Sequence, residues 1–269
     1  MKILIAGYGT VGKAHETYLR PWCDVEIYDP WKGFKDISKD INAVIICTAT
    51  PSLENGACLV NSVYDVISRV PNVPILIKST ISLEGWKAIK DDFADYDITF
   101  SPEFLRNKTA TEDLANTEYF MLAEGNTQFW SSILVSVFGK VTINLYSTAE
   151  ELILVKYFRN SFLANKVAFF NQVYDLCKAT GVDYKSVAEG IGKDKRIGAS
   201  HTEVTEERGF GGHCFPKDIQ AIIYSAKQNG VDLTLLKEAL EYNEKVRRKE
   251  PKNRLEQMES LTHDPIAHC

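Results

Sequence analysis

A cysteine beside a predicted helix is the residue of this sequence best placed for covalent chemistry. Cys214 lies in the segment GFGGHCFPKD, residues 209–218, after three glycines and shortly before a helix-forming stretch. Glycines let backbone and ligand approach closely, and a helix N-terminus stabilises a thiolate. On local features alone, Cys214 fits a nucleophile and a buried structural thiol equally well.

The start of the chain carries a second chemical pattern, a glycine-rich turn. Residues 7–12, GYGTVG, fit G-x-G-x-x-G directly after an apolar run and at the start of a helical pattern. The first glycine permits a tight turn, the second lets the backbone approach a pyrophosphate, and the third allows close helix–strand packing. The N–H groups of the helix start would bind the anion. The turn predicts a dinucleotide site with contacts at Gly7, Tyr8, Gly9, Thr10, Val11 and Gly12.

The choice of dinucleotide depends on the end of the second predicted strand. Asp29 follows that strand, where a carboxylate accepts hydrogen bonds from a ribose 2′-OH and repels a 2′-phosphate. We therefore predict NAD as the cofactor, while Lys32 and Lys35 keep NADP as the alternative. Thr48 follows the third predicted strand and is a further candidate cofactor contact, or part of a plain loop.

These residues need a scaffold, and the hydrophobic pattern predicts one. Strands that alternate with helices predict an α/β fold with a parallel, doubly wound sheet. We expect an NAD-binding Rossmann domain over residues 1–147. The predicted strands are Lys2–Ala6, Val25–Tyr28, Ala43–Cys47, Ile75–Ile77, Ile98–Phe100, Tyr119–Leu122 and Val141–Asn144.

The pattern changes at Thr148, where a long segment without proline keeps helical spacing as far as Gly181. It predicts one long helix with a glycine cap. We expect an all-α domain over residues 148–250, built around this helix, and a partly helical or loosely ordered tail over residues 251–269. Its other predicted parts are a helix at Asp183–Gly190, a loop over residues 191–212 and helical stretches from Lys217 to about Lys249.

Composition and charge exclude several classes of protein. The 269 residues are 45% hydrophobic and 25% charged, which is ordinary for soluble globular proteins, and the net charge of -5 argues against a nucleic-acid partner. The six cysteines form no CxxC pair and have no histidines at ligand spacing, so we predict reduced thiols and no metal site. The N-terminal apolar run is too short for a signal peptide or a spanning helix. We therefore expect a cytoplasmic protein without a membrane partner.

Residues 209–218 resemble the GFGGxCxPKD signature of the UDP-glucose/GDP-mannose dehydrogenase family at every specified position. The resemblance covers about Met1 to Arg248. It implies an NAD-dependent oxidoreductase that converts a sugar-nucleotide primary alcohol to a carboxylate by four-electron oxidation, as from UDP-glucose to UDP-glucuronate. Other similar segments, in the same order, are GYGTVG at 7–12, KST at 78–80, SPEFLR at 101–106 and the long-helix sequence at 151–177.

The resemblance implies catalytic roles for four residues of the helical domain. Cys214 would hold the aldehyde as a thiohemiacetal, and loss of a second hydride would leave a thioester. Lys156 and Asn160, four residues apart and so on one helix face, would stabilise the developing oxyanion. Asp218, with Lys156 and a water, would help to remove the alcohol proton. The alternative for Lys156 and Asn160 is a solvated helix face.

The resemblance also assigns the final step and the substrate contacts. Glu103 would activate the water that hydrolyses the thioester, and Thr80, which would also contact the cofactor, would position it. Without such a role, Glu103 would be a carboxylate at a helix start. The implied substrate contacts are Glu103, Phe104, Leu105, Arg106, Lys156, Asn160, Arg196, Phe210 and Gly211.

Assembly is implied by the segment at residues 196–198, RIG, which resembles an element that reaches a neighbouring subunit's substrate. We therefore expect Arg196 to act in trans within a homodimer formed through the long helix. His213 occupies the variable position of the signature, and we expect it to be exposed.

The sequence departs from the family pattern in two places. Asn107 stands where the family usually carries glutamate, four residues after Glu103. Typical members continue with a second Rossmann-like domain that binds much of the nucleotide, whereas this sequence stops soon after Arg248. We expect either a part of a longer chain or a naturally short form whose nucleotide site is incomplete or is completed by another subunit. Two other functions stay open: a two-electron hydroxyacid or alcohol dehydrogenase, and an inert NAD-binding scaffold.

Overall fold

A seven-stranded sheet forms the first part of the computed structural model, which describes residues 1–212 and 214–247. The strand order is β2-β1-β3-β4-β5-β6-β7. The strands are β1 Lys2–Ala6, β2 Asp24–Tyr28, β3 Ala43–Ile46, β4 Ile75–Ile77, β5 Ile98–Phe100, β6 Tyr119–Ala123 and β7 Thr142–Tyr146. The order reverses between β1 and β3, and such a switch point is where α/β sheets bind ligands. All seven predicted strands are present, and the α/β class is confirmed.

The central strands are continuous apolar runs because helices cover both faces of the sheet. Every residue of β3 and β4 is buried, as is typical of parallel strands. The helices of this part are α1 Thr10–Leu19, α2 Asn61–Arg69, α3 Leu83–Asp92, α4 Ala110–Ala115 and α5 Thr127–Phe138.

The sheet is mostly parallel, in agreement with the predicted parallel, doubly wound sheet, and the one exception among the described strands is the pairing of β5 with β6. Phe100 pairs antiparallel with Ala123, while β6 and β7 run parallel to each other. An antiparallel neighbour needs no crossover, and the link from β5 to β6 contains only the six-residue helix α4. The residues that follow β5 and those that begin β6 consequently lie at the same edge.

The second part of the chain is helical, as predicted, and begins with a 32-residue helix. Gly181, with a φ of +71°, follows its last residue and matches the predicted cap. The last two helices are separate, with Gly230 at a φ of +72° between them. The helices are α6 Ala149–Thr180, α7 Tyr184–Gly192, α8 Cys214–Gln228 and α9 Thr234–Val246.

Contacts divide the chain into two compact units inside α6 and α8. The first unit holds residues 1–161 and 217–233, and the second holds residues 162–216 together with the described residues from Thr234 onward. The first turns of α6 belong to the sheet unit because they bury Leu152, Ile153 and Tyr157. The sequence pattern, by contrast, changes at Thr148. The predicted tail lies outside the described residues.

The described part of the chain has no membrane-spanning helix and no cluster of metal-ligating side chains. None of its helices is long and apolar enough to cross a membrane. Within the same residues, no three His, Cys, Asp or Glu side chains are grouped so that they could hold a metal ion.

Candidate active site

Three glycines shape the turn after β1. Gly7 has a φ of +91°, and a Cβ there would lie 2.6 Å from the carbonyl carbon of Cys47 after β3. A Cβ on Gly12 would lie 2.0 Å from the carbonyl oxygen of Gly7. A Cβ on Gly9, the N-cap of α1, would meet no described atom within 4 Å. The turn thus offers a helix N-terminus with room for a pyrophosphate at the switch point, so the residues present fit a dinucleotide.

Replacing Gly9 by alanine should weaken NAD binding without destabilising the fold. The φ of -84° suits alanine, but the added methyl group would stand between the turn and a bound pyrophosphate. We expect calorimetry to show a Kd for NAD at least about tenfold higher, or ~1.4 kcal/mol, with an unchanged Tm. The matched control is Gly190→Ala in α7, whose Cβ likewise meets nothing within 4 Å among the described atoms. Equal NAD affinity in both variants would contradict the site.

The carboxylate predicted to select NAD lies beside this turn. Asp29 accepts a hydrogen bond from the backbone N–H of Tyr8 at 2.8 Å. The ammonium of Lys32 is 3.8 Å from the same carboxylate and donates to the carbonyl oxygen of Tyr8. Lys32, one of the two lysines considered for a 2′-phosphate, therefore lies beside the acidic group that would repel such a phosphate.

Hydroxyl groups connect the segments that follow β3 and β4. Thr50 donates to the carbonyl oxygen of Thr80 at 2.7 Å, and Ser79 donates to that of Thr48 at 2.8 Å. Because both segments follow parallel strands, they lie at the sheet edge that carries the glycine turn. The structure therefore brings Thr48 and Thr80 to the predicted cofactor edge.

Glu103, which follows β5, lies in a buried polar cluster. Its Oε2 is 3.2 Å from both Lys78 Nζ and His15 Nε2, and its side chain is 12% exposed. The other oxygen accepts a hydrogen bond from the N–H of Phe104 at 2.9 Å. Burial alone would raise the pKa of Glu103, but the Lys78 ammonium and the His15 hydrogen bond more than offset this and hold the pKa well below its usual value. The carboxylate is therefore ionised at neutral pH.

Asn160 and Asp218 are hydrogen-bonded to each other between α6 and α8. The amide of Asn160 donates to Asp218 at 2.6 Å, and Lys217 donates to the other carboxylate oxygen at 2.7 Å. Asp218 is only 1% exposed. One turn earlier on α6, Lys156 donates to the carbonyl oxygen of Glu103. Neither predicted residue of α6 belongs to a solvated helix face.

Cys214 is the first residue of α8, and its side chain is exposed. The helix begins three residues before the predicted Lys217, since Pro216 is tolerated in a first turn whose N–H groups have no helical partner. Exposure at a helix start does not fit the alternative of a buried structural thiol. Asp218 lies four residues later and so on the same face of α8.

Two of the predicted substrate residues, Phe104 and Leu105, line a cavity of about 240 Å³ in the sheet unit. Arg159 and Tyr119 also line it. The guanidinium of Arg159 is 4.2 Å from the centroid of the Phe104 ring and donates to the Tyr119 hydroxyl at 3.0 Å. A cation and a hydroxyl therefore flank the aromatic ring at this edge.

The next two residues of the same loop do not line that cavity. Arg106 pairs with Asp113 at 2.5 Å and lowers the pKa of that carboxyl to about 2. Asn107 accepts a hydrogen bond from the hydroxyl of Thr10 at 2.5 Å. Asn107 is therefore at the first turn of α1, where the neutral amide avoids placing a negative charge beside an expected pyrophosphate.

In the helical unit, the predicted substrate residues have different surroundings. Phe210 is 2% exposed, and the Asn243 side chain bonds its backbone N–H and carbonyl at 2.6 and 3.0 Å. A Cβ on Gly211 would lie 2.0 Å from the Arg247 guanidinium. The Arg196 side chain is 88% exposed, and an aspartate two residues earlier pairs with it. Phe210 is thus a core residue here, while Arg196 faces outward. His213 lies outside the described residues.

Sequence reasoning missed three residues of these polar clusters, namely His15, Lys78 and Lys217. Of the three, only Lys78 could have been predicted from the sequence, because a lysine directly after a fully apolar strand needs an acidic partner when it is buried. The ring of His15 meets a residue 88 positions away, and no local pattern records such a contact.

The sequence of this chain is similar to those of known dehydrogenases. Residues 148–245 match the sequence model of the UDP-glucose/GDP-mannose dehydrogenase family, central domain. Residues 148–245 are therefore a central domain of this family. A UDP-glucose 6-dehydrogenase of Rickettsia bellii (strain RML369-C) is 32% identical over 222 residues, which are 76% of this chain and 50% of that relative. The chain spans about half the length of the curated relatives it matches.

Two solved structures of dehydrogenases have the same fold as this chain. A UDP-glucose dehydrogenase from the hyperthermophilic archaeon Pyrobaculum islandicum has a TM-score of 0.76 at 25% identity, covering 91% of this chain and 68% of that one. A 3-hydroxyisobutyrate dehydrogenase of Mycobacterium tuberculosis has a TM-score of 0.69 at 18% identity, covering 90% and 92%. The second likeness shows the fold alone. The match to the central domain and the similarity to UDP-glucose 6-dehydrogenases confirm the resemblance predicted from the sequence.

Proposed function

We propose that this chain is an NAD-dependent sugar-nucleotide 6-dehydrogenase of the UDP-glucose type, which oxidises a primary alcohol to a carboxylate in two steps. The observation that carries the proposal is Cys214, an exposed thiol at the first residue of α8, one turn before the buried Asp218. A two-electron dehydrogenase needs no such thiol. The central domain of the family, present at residues 148–245, supports the same conclusion.

The cofactor would be held at the edge of the sheet. The Gly7–Gly12 turn would take the pyrophosphate, Asp29 the ribose hydroxyls, and Thr48 and Thr80 would line the nicotinamide side. When bound, NAD supplies the hydride acceptor for each oxidation.

The first oxidation would use the residues of α6 and α8. Asp218, with Lys156 and an ordered water, would take the proton of the primary alcohol as the carbon loses hydride. Lys156 and Asn160 would stabilise the negative charge that develops on oxygen. In support, the Asn160 amide is already fixed by its 2.6 Å hydrogen bond to Asp218. The product of this step is an aldehyde.

The second oxidation would be covalent. The Cys214 thiolate would form a carbon–sulfur bond to the aldehyde, and the oxygen would take a proton to give a thiohemiacetal. Loss of that proton and a second hydride would leave a thioester. Glu103 would then activate a water positioned by Thr80, the carbon–sulfur bond would break, and the carboxylate product and free thiolate would remain.

Substrate contacts would come from the loop after β5 and from the helical unit. Phe104 and Leu105 would contact the sugar nucleotide at the cavity that they line, with Arg106 beside them. In the helical unit, the backbone of Phe210 and Gly211 would contact the sugar nucleotide. Lys156, Asn160 and Glu103 would contact the reacting end.

A homodimer would complete the site, with Arg196 reaching the partner's substrate. Three apolar side chains of the second unit, Phe162, Phe169 and Leu176 on α6, are more than half exposed. Exposed apolar groups of this size on one helix mark an interaction surface. Phe162, Phe169 and Arg196 also line one groove of about 620 Å³.

The proposal predicts which compounds reduce NAD. Sugar nucleotides and free hydroxyacids are each mixed with the chain and NAD, and the nicotinamide absorbance is followed. We expect turnover with a UDP-hexose that has a free primary alcohol and none with hydroxyacids. Turnover with a hydroxyacid alone would indicate the two-electron reaction. Thermal stabilisation by NAD without turnover of any compound would indicate a scaffold.

A further inference from the structure

Arg159 on α6 is a cation at the cavity of the sheet unit for which the proposed steps have no task. Its guanidinium is 4.2 Å from the centroid of the Phe104 ring and donates to the Tyr119 hydroxyl at 3.0 Å. The ring and the hydroxyl therefore fix the orientation of the guanidinium. Among the described residues this is the one hydrogen bond of the side chain, so most of its N–H groups remain for a further acceptor.

The acidic groups that line the same cavity are not partners of Arg159. Glu103 is paired with a lysine at 3.2 Å, and Asp113 is paired with an arginine at 2.5 Å. Glu118 is exposed, so solvent and salt screen its charge. In the described part of the chain, none of these carboxylates forms an ion pair with Arg159. An oriented guanidinium without a described acidic partner thus lines a cavity of about 240 Å³.

Lys156, three residues earlier on α6, brings a second positive charge to the same aromatic ring. Its ammonium is 5.3 Å from the centroid of the Phe104 ring. Side chains three residues apart are neighbours on a helix, with Cβ atoms about 5–6 Å apart. Two like charges at this separation repel each other, and an anion bound beside them reduces the repulsion. A phosphate group suits this position, because the planar guanidinium of Arg159 can donate parallel hydrogen bonds to its oxygens.

The chemistry of the proposed substrate also brings a phosphate close to Arg159. The proposed reaction puts Lys156 at the primary alcohol of the hexose. In a pyranose, the carbon that carries this alcohol and the phosphate oxygen are attached to the ring carbons on either side of the ring oxygen. The alcohol and the first phosphate are therefore about as far apart as neighbouring side chains on one helix face. A hexose whose alcohol lies at Lys156 can consequently bring its diphosphate to Arg159.

We propose that Arg159 binds the diphosphate of the sugar nucleotide and thereby selects a nucleotide-linked hexose over a free hexose. This inference rests on the proposed function and names the residue that would recognise the phosphates. Phe104 and Tyr119 hold the guanidinium in place, so little side-chain freedom is lost when the diphosphate binds. Arg159 is a binding residue in this proposal: it takes up no proton or hydride, and no bond forms or breaks at it.

The first test measures binding without turnover, by calorimetry with saturating NAD so that the cofactor site is occupied. Arg159→Met removes the charge and keeps a flexible side chain that can pack against Phe104. We expect the Kd for UDP to rise at least about tenfold and the Kd for uridine, which carries no phosphate, to stay within about twofold. Arg159→Lys keeps the charge without the planar fork and should give an intermediate Kd for UDP. A loosened cavity would instead weaken the binding of UDP and uridine alike.

Arg69→Met is the matched control for the loss of an arginine. Arg69 is exposed on α2, pairs with Asp65 at 2.6 Å and is not among the described residues that line the cavity. Its replacement should leave the Kd for UDP unchanged.

The second test uses turnover of UDP-glucose with NAD. Arg159→Met should raise KM for UDP-glucose about tenfold and leave kcat within about twofold of the wild type. The reason is that the phosphates do not react, so a contact with them stabilises the bound substrate and the transition state equally. Arg69→Met should change neither constant.

The outcomes separate this inference from the proposed function. Turnover of UDP-glucose with an unchanged KM in Arg159→Met, or equal losses of UDP and uridine binding, would overturn the role of Arg159 and leave the function standing. UDP binding that depends on Arg159 in a wild type that forms no NADH would support the diphosphate contact and contradict the function. A wild-type chain that neither binds UDP nor forms NADH would overturn both.

Discussion

Replacing Cys214 by serine should lower kcat for complete oxidation of UDP-glucose by at least about 10³-fold. Serine keeps the size of the side chain, but its hydroxyl is far less ionised than a thiol and does not form the thioester readily. The first oxidation does not use the thiol, so substrate binding should persist and an aldehyde-level product should remain bound. The measurement is NADH release at saturating NAD, with analysis of the products.

Cys23→Ser is the matched control for this loss. Cys23 is half-buried and donates weakly to the carbonyl oxygen of Leu19 within the sheet unit. Its replacement should leave kcat unchanged. Complete oxidation at the wild-type rate by Cys214→Ser would contradict covalent catalysis.

The Asp218→Asn variant should lower kcat about 10²-fold or more, because an amide cannot take the alcohol proton. The asparagine oxygen can still accept the hydrogen bond from Asn160, and Lys217, which is 22% exposed, can turn to solvent. We therefore expect a loss of only about 1–3 kcal/mol in the free energy of unfolding. Steady-state kinetics and urea unfolding measure the two effects separately.

Asp65→Asn controls for the loss of one carboxylate charge. Asp65 pairs with Arg69 at 2.6 Å, but both side chains are about half exposed, so solvent screening keeps the pair below about 1 kcal/mol. Neither kcat nor KM should change. An Asp218→Asn enzyme as fast as Asp65→Asn would exclude Asp218 as a proton acceptor.

The sequence predicted those parts of the site that depend on local pattern. The glycine turn needs glycine at fixed positions because its backbone packs against the end of β3. A pattern of six residues is therefore enough to predict the turn. The apolar runs of β1, β3 and β4 located the sheet, because strands covered on both faces leave no place for polar side chains. The long helix was also predicted from local pattern, because apolar residues recur at helical spacing along its thirty-two residues.

The remaining features depend on contacts between distant residues. The reversal of β6 follows from the path of the link that contains α4, and apolar runs give no strand direction. The polar cluster at Glu103 joins the ends of β4 and β5 to the middle of α1, so its members His15 and Lys78 could not be assigned from spacing. The start of α8 at Cys214 was missed because Pro216 and the preceding glycines suggest a loop.

The number of NADH molecules formed per UDP-glucose tests the four-electron reaction most directly. With the wild-type chain and excess NAD, a limiting amount of UDP-glucose is allowed to react to completion, and NADH and the sugar product are both measured. The proposed function predicts two NADH per UDP-glucose and a product that carries a carboxylate. One NADH per UDP-glucose with an aldehyde as the final product, or no NADH at all, would contradict it.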